Sequence, residues 1–586
     1  MGPLFLLSGL ANKGVVEMWK SGRVPGWALF VVLAGVVFPA SSLGLWVSDG
    51  NPLCTATGNQ YGPVSTSDDE GGVIVTWYDY RSGTTDVYAQ RANASGAVQW
   101  ALGGEALCKA TGSQGSPKIT SDGAGGAIVT WHDDRSGFSE VYAQRVDASG
   151  AVQWTADGVA ICTSAGMPGY PAITSDGAGG AIVTWHDERS GWMKYDIYAQ
   201  RVDASGVVQW AANGVALSRA FDSQFNPAIT SDGAGGAIVT WEDFRNGSNH
   251  DIYARRVDAS GAVQWAPNGV ALCAAAGDQR NAAITSDDAG GAVVTWNDMR
   301  SGNYDIYVQR VDTSGDVKWA TNGVALCTAT GDGFGPVIMP DGESGAIVAW
   351  QDSRSGGNSD IYAQMVNASG GVEWASDGVA LCTATGDQAG PTMTSDGAGG
   401  AIVTWVDHRS GADESSTDIY ARRVSASGVV QWAPDGVALC TATGGQHGAS
   451  IASDGADGAL VTWDDGRSSN VDIYAQRIDG NGHLIDVGQR EARVPASLLE
   501  QNVPNPFNPV TAIRFAVAEP GTVRLVVYDV GGRPVRVLVE GVRQASWHEA
   551  TWDGRDDSGQ AVASGVYVYQ LERPGYTESK KMVLLR

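Results

Sequence analysis

The stretch PAITSDGAGGAIVTWHDERSG, residues 171–191, recurs along most of the chain with small changes and decides the fold. Its Trp-x-Asp-x-Arg core appears eight times, at intervals of 54 to 58 residues. The tryptophans are Trp77, Trp131, Trp185, Trp241, Trp296, Trp350, Trp405 and Trp463. A repeat of this length predicts one supersecondary unit that buries its hydrophobic faces only by stacking on its neighbours.

Each copy predicts four short β-strands. The apolar, β-branched segment 181–185 (AIVTW) is typical of a strand that is covered on both faces. The Gly-rich segment 175–180 (SDGAGG) predicts a turn between the first and second strands, because glycine adopts positive φ without strain. Segment 203–206 (DASG) predicts a second turn between the third and fourth strands, so each unit contains two tight hairpins.

Stacking of such units predicts an all-β fold, an eight-bladed β-propeller with four-stranded blades. A linear β-solenoid is the rival, but its coils are usually shorter than about 55 residues and it needs atypical capping units. Residues 45–54 (LWVSDGNPLC) match the end of a repeat, whereas the eighth copy fades after Arg477. We therefore expect an amino-terminal strand to close the ring; seven blades or a split array are the alternatives.

The charge distribution separates the regions and restricts their partners. The whole chain carries a formal net charge of −26; residues 1–44 contribute +2 and residues 497–586 contribute 0, which leaves −28 for the middle. An acidic body of this kind repels nucleic acid phosphates and anionic lipid surfaces. We expect no nucleic acid partner, and cations or neutral glycans remain open.

The amino-terminal region predicts export. Residues 27–38 (WALFVVLAGVVF) form a short apolar run that follows Lys20 and Arg23 and precedes small residues. This order is typical of a secretory signal peptide, which we place in region 1–44. The run is shorter than the roughly 20 residues that span a bilayer, so no stable transmembrane segment is expected, with a membrane anchor as the alternative.

Residues that repeat in every copy favour a structural role. An Asp two residues after each Trp and an Arg four residues after it share one face of the chain and can pair. A single active site needs unequal positions, so we interpret these pairs as a per-blade device. The seven cysteines also fall one per repeat, and equivalent positions on different blades should exceed the roughly 7 Å Cα limit for a disulfide. They are Cys54, Cys108, Cys162, Cys273, Cys327, Cys382 and Cys440, and we expect them to be buried thiols.

The copies differ most between their second and third strands. Variable loops on a rigid scaffold usually carry binding sites. The longest of these loops supply the candidate ligand-binding residues Trp192, Tyr195, His250 and Glu414. The positions one and three residues after each Trp also vary, although drift of a solvated surface is the alternative there. They hold Tyr78 and Tyr80, His132 and Asp134, His186 and Glu188, and Glu242 and Phe244 in the first four copies.

The function indicated first is a secreted or cell-surface, non-catalytic propeller that binds an extracellular glycan or protein. The chain has no nucleophile elbow, zinc-protease motif or P-loop, so no catalytic residue is assigned. The alternative is a glycoside hydrolase or lyase on the variable face, with Glu188 or Glu242 as candidate carboxylates. A structural surface coat is the third hypothesis. No cofactor or metal is assigned; turns such as that at Asp122 leave calcium open, although none has the EF-hand pattern.

The carboxyl-terminal region departs from the repeat. Residues 495–509 (PASLLEQNVPNPFNP) form a Pro- and Asn-rich boundary, after which alternating strands resume. They predict a small Ig-like β-sandwich over 511–586. We place the propeller at 45–490 and the linker at 491–510.

The last 90 residues also contain a series of ordered motifs. These are QNVPNPFNP (501–509), YD (528–529), GR (532–533), WDG (552–554), GVY (565–567) and KMVLLR (581–586). Together they resemble the carboxyl-terminal sorting domain of type IX secretion cargo, which is related to the Ig-like domain of flagellar hook-capping proteins. The resemblance implies contact with the secretion and sorting machinery through Gly565, Tyr567, Lys581 and Met582. It also implies a location outside the cell or on the outer-membrane surface of a bacterium. An adhesion-type sandwich is the alternative.

Overall fold

The computed structural model describes residues 46–192, 194–411, 413–485, 498–499, 502, 505–517, 521–543, 546–573 and 576–585. The predicted signal peptide and much of the predicted linker lie outside these residues. Within the described ranges, no helix is long and apolar enough to cross a membrane.

The chain between Asn51 and Ile478 forms eight antiparallel sheets, the blades. Strand β1 is Asn51–Cys54, and blade 1 contains β2 (Gln60–Ser67), β3 (Val73–Asp79), β4 (Asp86–Ala92) and β5 (Glu105–Cys108). Blade 2 contains β6 (Gln114–Ser121), β7 (Ala127–Asp133), β8 (Glu140–Val146) and β9 (Val159–Cys162). Blade 3 contains β10 (Gly169–Ser175), β11 (Ala181–Asp187), β12 (Asp196–Val202) and β13 (Val215–Ser218). Blade 4 contains β14 (Gln224–Ser231), β15 (Ala237–Asp243), β16 (Asp251–Val257) and β17 (Val270–Cys273).

The second half of the ring repeats this pattern. Blade 5 contains β18 (Gln279–Ser286), β19 (Ala292–Asp298), β20 (Asp305–Val311) and β21 (Val324–Cys327). Blade 6 contains β22 (Gly333–Pro340), β23 (Ala346–Asp352), β24 (Asp360–Val366) and β25 (Val379–Cys382). Blade 7 contains β26 (Gln388–Ser395), β27 (Ala401–Asp407), a 3-10 turn (Glu414–Ser416), β28 (Asp418–Val424), β29 (Val430–Gln431) and β30 (Val437–Cys440). Blade 8 contains β31 (Gln446–Ser453), β32 (Ala459–Asp465) and β33 (Asp472–Ile478), with β1 as its outermost strand.

The eighth blade is assembled from both ends of the repeat region. Strand β1 pairs antiparallel with β33, with Asn51 opposite Ala475. Blade 8 lies against blade 1, since the Gly62 amide donates to Oδ2 of Asp464 over 3.2 Å. The predicted fold class, an all-β propeller whose amino-terminal strand completes the last blade, is confirmed.

Within each blade the first strand is innermost, because the first strands of successive blades contact one another. The second strands are buried on both faces, as their apolar sequence predicts; every residue of β11 is buried. The outermost strand is shorter than the sequence suggests. In blade 3 the segment 207–210 forms only the bridge Val202–Val208, because the Gln200 side chain bonds the Trp210 amide (2.9 Å) and the Ala211 carbonyl (2.8 Å) in place of a backbone ladder.

The repeated Asp and Arg form a structural pair in each blade. In blade 2, Asp133 accepts hydrogen bonds from Nε1 of Trp131 and Nε of Arg135, both over 2.8 Å. Burial raises the pKa of Asp133, but the bonds from Arg135 and Trp131 outweigh it and lower the pKa overall. The Arg135 guanidinium lies 3.7 Å from the ring centroid of Tyr142. The seven cysteines are free and buried beside these pairs, and burial raises the pKa of Cys108 to about 12.

The Asp-rich turns on the opposite end of the propeller join neighbouring blades. Asp122 accepts the Ala124 and Gly126 amides (2.8 Å each) and pairs with Nη2 of Arg145 (2.8 Å). Arg145 in turn donates to the Ala204 carbonyl of blade 3 over 3.2 Å. The Asp122 carboxylate is therefore used by its own turn and by Arg145. No group of three or more His, Cys, Asp or Glu side chains in the described part of the chain is placed to hold a metal ion.

The carboxyl-terminal domain is a sandwich of two antiparallel sheets. One contains β34 (Leu498–Leu499), β35 (Thr511–Val517) and β38 (Ser546–Trp552). The other contains β36 (Gly521–Tyr528), β37 (Pro534–Arg543), β39 (Gly565–Arg573) and β40 (Tyr576–Leu584). Trp552, Tyr569 and Phe515 are buried between the sheets, as expected for an Ig-like fold.

Candidate functional site

The variable face is the end of the propeller that carries the turns between second and third strands and the links between blades. Each first strand begins there with a β-bulge; in β14 the register shifts between Phe225 and Ala228. The second residue of the bulged segment has positive φ in all eight blades. These residues are Gly62, Ser116, Tyr170, Asn226, Asn281, Gly335, Gly390 and Gly448. A bulge redirects side chains and is common beside active sites.

The residues directly after the eight buried tryptophans lie on this face and differ in chemical type from blade to blade. Each pairs with a residue at the start of the first strand, as His186 does with Gly169. Because neighbouring residues of a strand point to opposite faces, these side chains point away from the face on which the Trp packs. In blade order they are Tyr78, His132, His186, Glu242, Asn297, Gln351, Val406 and Asp464. One active site requires this kind of inequality.

Blades 3 and 4 bring five rings together, which we call the Tyr195 cluster: Tyr170, His186, Tyr195, Phe225 and His250. The His186 ring centroid lies 4.7 Å from that of Tyr195 and 5.0 Å from that of Tyr170. Phe225 joins the two loops, at 5.3 Å from Tyr195 and 5.8 Å from His250. Tyr170 is 70 % exposed, so the cluster opens to solvent.

The half-buried carboxylate of Glu188 acts on the hydroxyl of Tyr195. Glu188, with a smaller contribution from burial, raises the pKa of Tyr195 to about 12. The phenol therefore keeps its proton at neutral pH and holds it next to a base. Such a pair can give up the proton only when a substrate stabilises the developing charge on oxygen.

His186 adds a neutral imidazole to the cluster. Its side chain is 7 % exposed, and burial lowers its pKa to about 4. Its Nδ1 atom has no hydrogen-bond partner within the described residues. At neutral pH this ring can accept or donate a hydrogen bond, and it carries no charge.

Glu242 has a different task from Glu188. It is 2 % exposed, and its Oε1 accepts hydrogen bonds from Nδ2 of Asn226 (3.1 Å) and the Asn281 amide (2.9 Å). It thus holds the bulges of blades 4 and 5. His250 is held in a similar way by Asp278, whose Oδ1 lies 3.2 Å from its Nδ1. Of the two carboxylates singled out in the sequence, Glu188 is the one that reaches a reactive side chain.

Blade 5 provides an internal comparison. Tyr304 occupies the position of Tyr195 and packs on Phe334 at 5.5 Å, as Tyr195 packs on Phe225. However, Asn297 and Met299 stand where blade 3 has His186 and Glu188. The aromatic pair recurs, whereas its combination with an imidazole and a carboxylate belongs to blade 3.

The structure places the predicted ligand-binding residues unevenly. Tyr195 and His250 lie in the cluster, and Trp192 is 86 % exposed in the same turn as Tyr195. Glu414 begins the 3-10 turn of blade 7, away from the cluster, and its side chain lies outside the description. His186 and Glu188 were visible in the sequence as variable positions. Tyr170 and Phe225 were missed, because they reach the site through the bulges of their first strands.

The residues named for sorting divide into core and surface. Tyr567 and Met582 face each other across β39 and β40 and are 8 % and 0 % exposed. Their direct role is in the core, where the Tyr567 hydroxyl donates to the Ala563 carbonyl over 2.7 Å. Gly565 begins β39, and Lys581 lies exposed on β40.

Comparison with known proteins gives one family match: the model of the FlgD Ig-like domain matches residues 509–574. No curated protein matches the chain. Several solved structures resemble it at low identity. A polysaccharide lyase described as an ulvan lyase is 11% identical, with a TM-score of 0.41, covering 75% of this chain and 96% of its own. The endo-arabinase of Bacteroides thetaiotaomicron is 13% identical (TM-score 0.26; 45% and 97% covered), and the α-L-arabinanase of Penicillium chrysogenum is also 13% identical (TM-score 0.29; 54% and 96%).

These comparisons contradict the hypothesis of a non-catalytic binding propeller, because the matched structures are a lyase, an arabinase and an arabinanase. With every quoted TM-score below 0.5, they assign neither residues nor substrate to this chain. The match at the carboxyl terminus identifies an Ig-like domain there, in agreement with the sandwich of β34 to β40.

Proposed function

We propose that this protein is an exported enzyme that cleaves a glycan on the variable face, beside Tyr195. The observation that carries the proposal is the ring of Tyr195, 4.7 Å from that of the uncharged His186, with Glu188 raising the pKa of the Tyr195 hydroxyl. One blade of eight holds this combination, as a single active site requires. The exposed rings of Tyr170 and Trp192 next to it offer apolar faces for sugar rings.

Tyr195 and Glu188 can serve either of two reactions. In hydrolysis, Glu188 takes the phenol proton while Tyr195 attacks the anomeric carbon, a role that a Tyr fills in some glycosidases; the glycosidic C–O bond breaks and its oxygen takes a proton from water. A water molecule then replaces Tyr195 at the anomeric carbon, which releases the sugar and returns the proton to the phenol. In elimination, Tyr195 passes its proton to Glu188 and takes the proton next to the carboxylate of an acidic sugar, while a C=C bond forms and the neighbouring glycosidic C–O bond breaks. The charge of −28 on the middle of the chain repels acidic polymers, so hydrolysis of an uncharged glycan fits better.

The test is cleavage by the full chain of neutral and acidic polysaccharides. New reducing ends report hydrolysis, and the ultraviolet absorbance of unsaturated products reports elimination. Tyr195→Phe keeps the ring packing and removes the hydroxyl, so activity should fall by about 100-fold or more. Tyr304→Phe, the matched change in blade 5, should leave activity unchanged. Equal activities of the two variants, or cleavage of none of the polymers, would refute the proposal.

Export and sorting form the second part of the proposal. The motifs of the last 90 residues support type IX secretion, with the Ig-like domain engaging the sorting machinery and placing the protein outside the cell or on the outer membrane. Lys581 is the exposed member of the named residues. Deletion of residues 497–586 should leave the propeller in the periplasm, as measured by fractionation. Undiminished surface display of the shortened chain would contradict it.

A further inference from the structure

A cavity of about 370 Å³ opens on the variable face between blades 1 and 2, apart from the Tyr195 cluster. Its lining includes Tyr78, Tyr80, Thr84, Ser113, Ser116 and His132. Small-molecule sites usually begin at about 300 Å³ and combine aromatic walls with a few polar groups. This cavity has the size and composition of a site for a small cyclic polyol.

Tyr78 and Tyr80 form one wall, and Tyr61 packs against both of them. Tyr61 lies 5.9 Å from Tyr78 and 6.1 Å from Tyr80, and the last two are 6.3 Å apart, all as ring centroids. Nδ2 of Asn59 donates to the Tyr61 hydroxyl over 3.0 Å, which fixes that ring. Tyr80 is 44 % exposed at the mouth of the cavity, so one of its faces is available to a ligand.

The opposite side is shaped by a missing side chain. A Cβ atom on Gly115 would lie 2.8 Å from Cε1 of His132, so the glycine makes room for the imidazole. Burial lowers the pKa of His132, and the ring is uncharged at neutral pH. Ser113 and Ser116 belong to the same part of blade 2, and their hydroxyls can both donate and accept hydrogen bonds.

None of these six side chains carries a charge. The carboxylate of Asp464, which acts on Tyr78, is 6 % exposed and accepts the Gly62 amide. An acidic sugar would find no cation among the six side chains, and a basic one would find no carboxylate among them. Hydroxyls and a flat apolar ring face match the groups of an uncharged sugar, whose C–H bonds pack on aromatic faces.

We infer that this cavity is a subsite for one uncharged sugar residue of the polymer that is cleaved at Tyr195. The inference rests on the proposed function for the identity of the ligand. The pairing of two tyrosines one and three residues after the Trp occurs in blade 1 alone; blades 2 to 8 have other residues there. The subsite thus lies where the copies differ, one blade before the Tyr195 cluster begins. It holds the bound polysaccharide along blades 1 to 3.

The experiment measures binding to the full chain carrying Tyr195→Phe, which prevents cleavage. The probes are cellohexaose, mannohexaose and arabinohexaose, with hexagalacturonate as the charged comparison, and the method is calorimetric titration. At least one neutral probe should bind, and hexagalacturonate should bind more weakly than that probe. Tyr80→Ala should weaken that binding by about tenfold or more, the effect of losing one stacked ring. Phe138→Ala removes another exposed ring, 62 % accessible in the corresponding turn of blade 2, and should change affinity less than about twofold.

The outcomes separate this inference from the proposed function. Binding of no neutral probe, tighter binding of hexagalacturonate, or equal affinities of Tyr80→Ala and its parent would each overturn the subsite. Cleavage that depends on Tyr195 but not on Tyr80 would overturn the subsite and leave the proposed function standing. Binding that depends on Tyr80 in a protein without any cleavage would refute the proposed function and leave the cavity as a sugar site.

Discussion

The acidic residue that begins each third strand is buried without a matching arginine. In this it differs from the Asp two residues after each Trp, which pairs with an arginine. Asp251 is 4 % exposed, and burial, aided by Asp243, raises its pKa to about 6 although Asn246 and Asn249 donate to it. Burial raises the pKa of six counterparts as well, namely Asp86, Asp196, Asp305, Asp360, Asp418 and Asp472. The folded ring therefore binds the protons of these carboxyl groups more tightly than the unfolded chain does.

Asp251→Asn should stabilise the protein at pH 7.5 by about 1 kcal/mol. The folded state binds the Asp251 proton more tightly than the unfolded state, so its contribution to stability is complete below the unfolded pKa of about 4 and is lost as pH rises through about 6. The variant should remove that part of the slope, as seen in melting temperatures measured from pH 4 to 8.

Asp258→Asn is the control of opposite sign. The Ser260 hydroxyl lowers the pKa of Asp258, so its carboxylate contributes stability that is present above the unfolded pKa and is lost on acidification. This variant should be less stable than the parent at neutral pH. An Asp251→Asn variant that also lost stability at pH 7.5 would show that its hydrogen bonds outweigh its burial.

At the scale of the strand, the outer edge of six of the eight blades has a glutamine, as Gln200 in blade 3. Gln200 accepts the Trp210 amide, and Trp210 reaches blade 4 through its Nε1, which donates to the Ala259 carbonyl over 3.2 Å. Blades 4 and 7 have Arg255 and Arg422 at this position. There the corresponding Trp265 and Trp432 take a left-handed backbone, with φ of 64° and 67°. Glutamine and the extended form of the Trp thus occur together.

Gln200→Leu should lower the free energy of unfolding by about 1–3 kcal/mol, because the buried Trp210 amide loses its acceptor. Hydrogen exchange at that amide should speed up correspondingly. Gln209→Leu is the control, since Gln209 is exposed and bonds Asp203 at the surface; it should cost less than about 0.5 kcal/mol. Equal effects of both substitutions would contradict a role for Gln200 in the edge.

The strands and their pairing were largely predictable, and the shape of the site was not. The AIVTW run and the two turn motifs predict β11 and its hairpins, because each depends on neighbouring residues alone. The shortened fourth strand was not predicted, since it depends on the side chain of Gln200 ten residues before Trp210. Tyr170 and Phe225 were missed because alternation predicts their direction only where the register is regular, and both lie at bulges.

At the scale of the molecule, the ring depends on residues 46–54. Nε1 of Trp46 donates to the Ala94 carbonyl of blade 1 over 3.1 Å, and Nη2 of Arg467 donates to the Asp49 carbonyl over 2.6 Å. Trp154 of blade 2 makes the equivalent bond to the Ala204 carbonyl of blade 3, and Arg135 makes the equivalent bond to the Asp157 carbonyl within blade 2. The circular offset of the repeats predicted this arrangement, because the missing end of the eighth copy was present at the start of the chain.

Deletion of residues 46–54 should lower the melting temperature by several degrees, because β33 loses its partner and Trp46 its place in the core of blades 8 and 1. The control is a circular permutant that begins in the link at Ala274. A flexible linker joins its native ends, so it retains every strand. It should melt near the parent temperature. A deletion variant as stable as the permutant would show that β1 is dispensable.

The pairing of β1 with β33 also bears on how incomplete chains are handled. A chain whose synthesis stops before blade 8 has an amino-terminal strand with no sheet to join and a bare face on its last blade. Unpaired strands and exposed sheet faces promote aggregation and proteolysis. Since the two partners lie more than 400 residues apart, full-length synthesis is a condition for hiding both surfaces. Only a chain translated through its last repeat can therefore bury both surfaces.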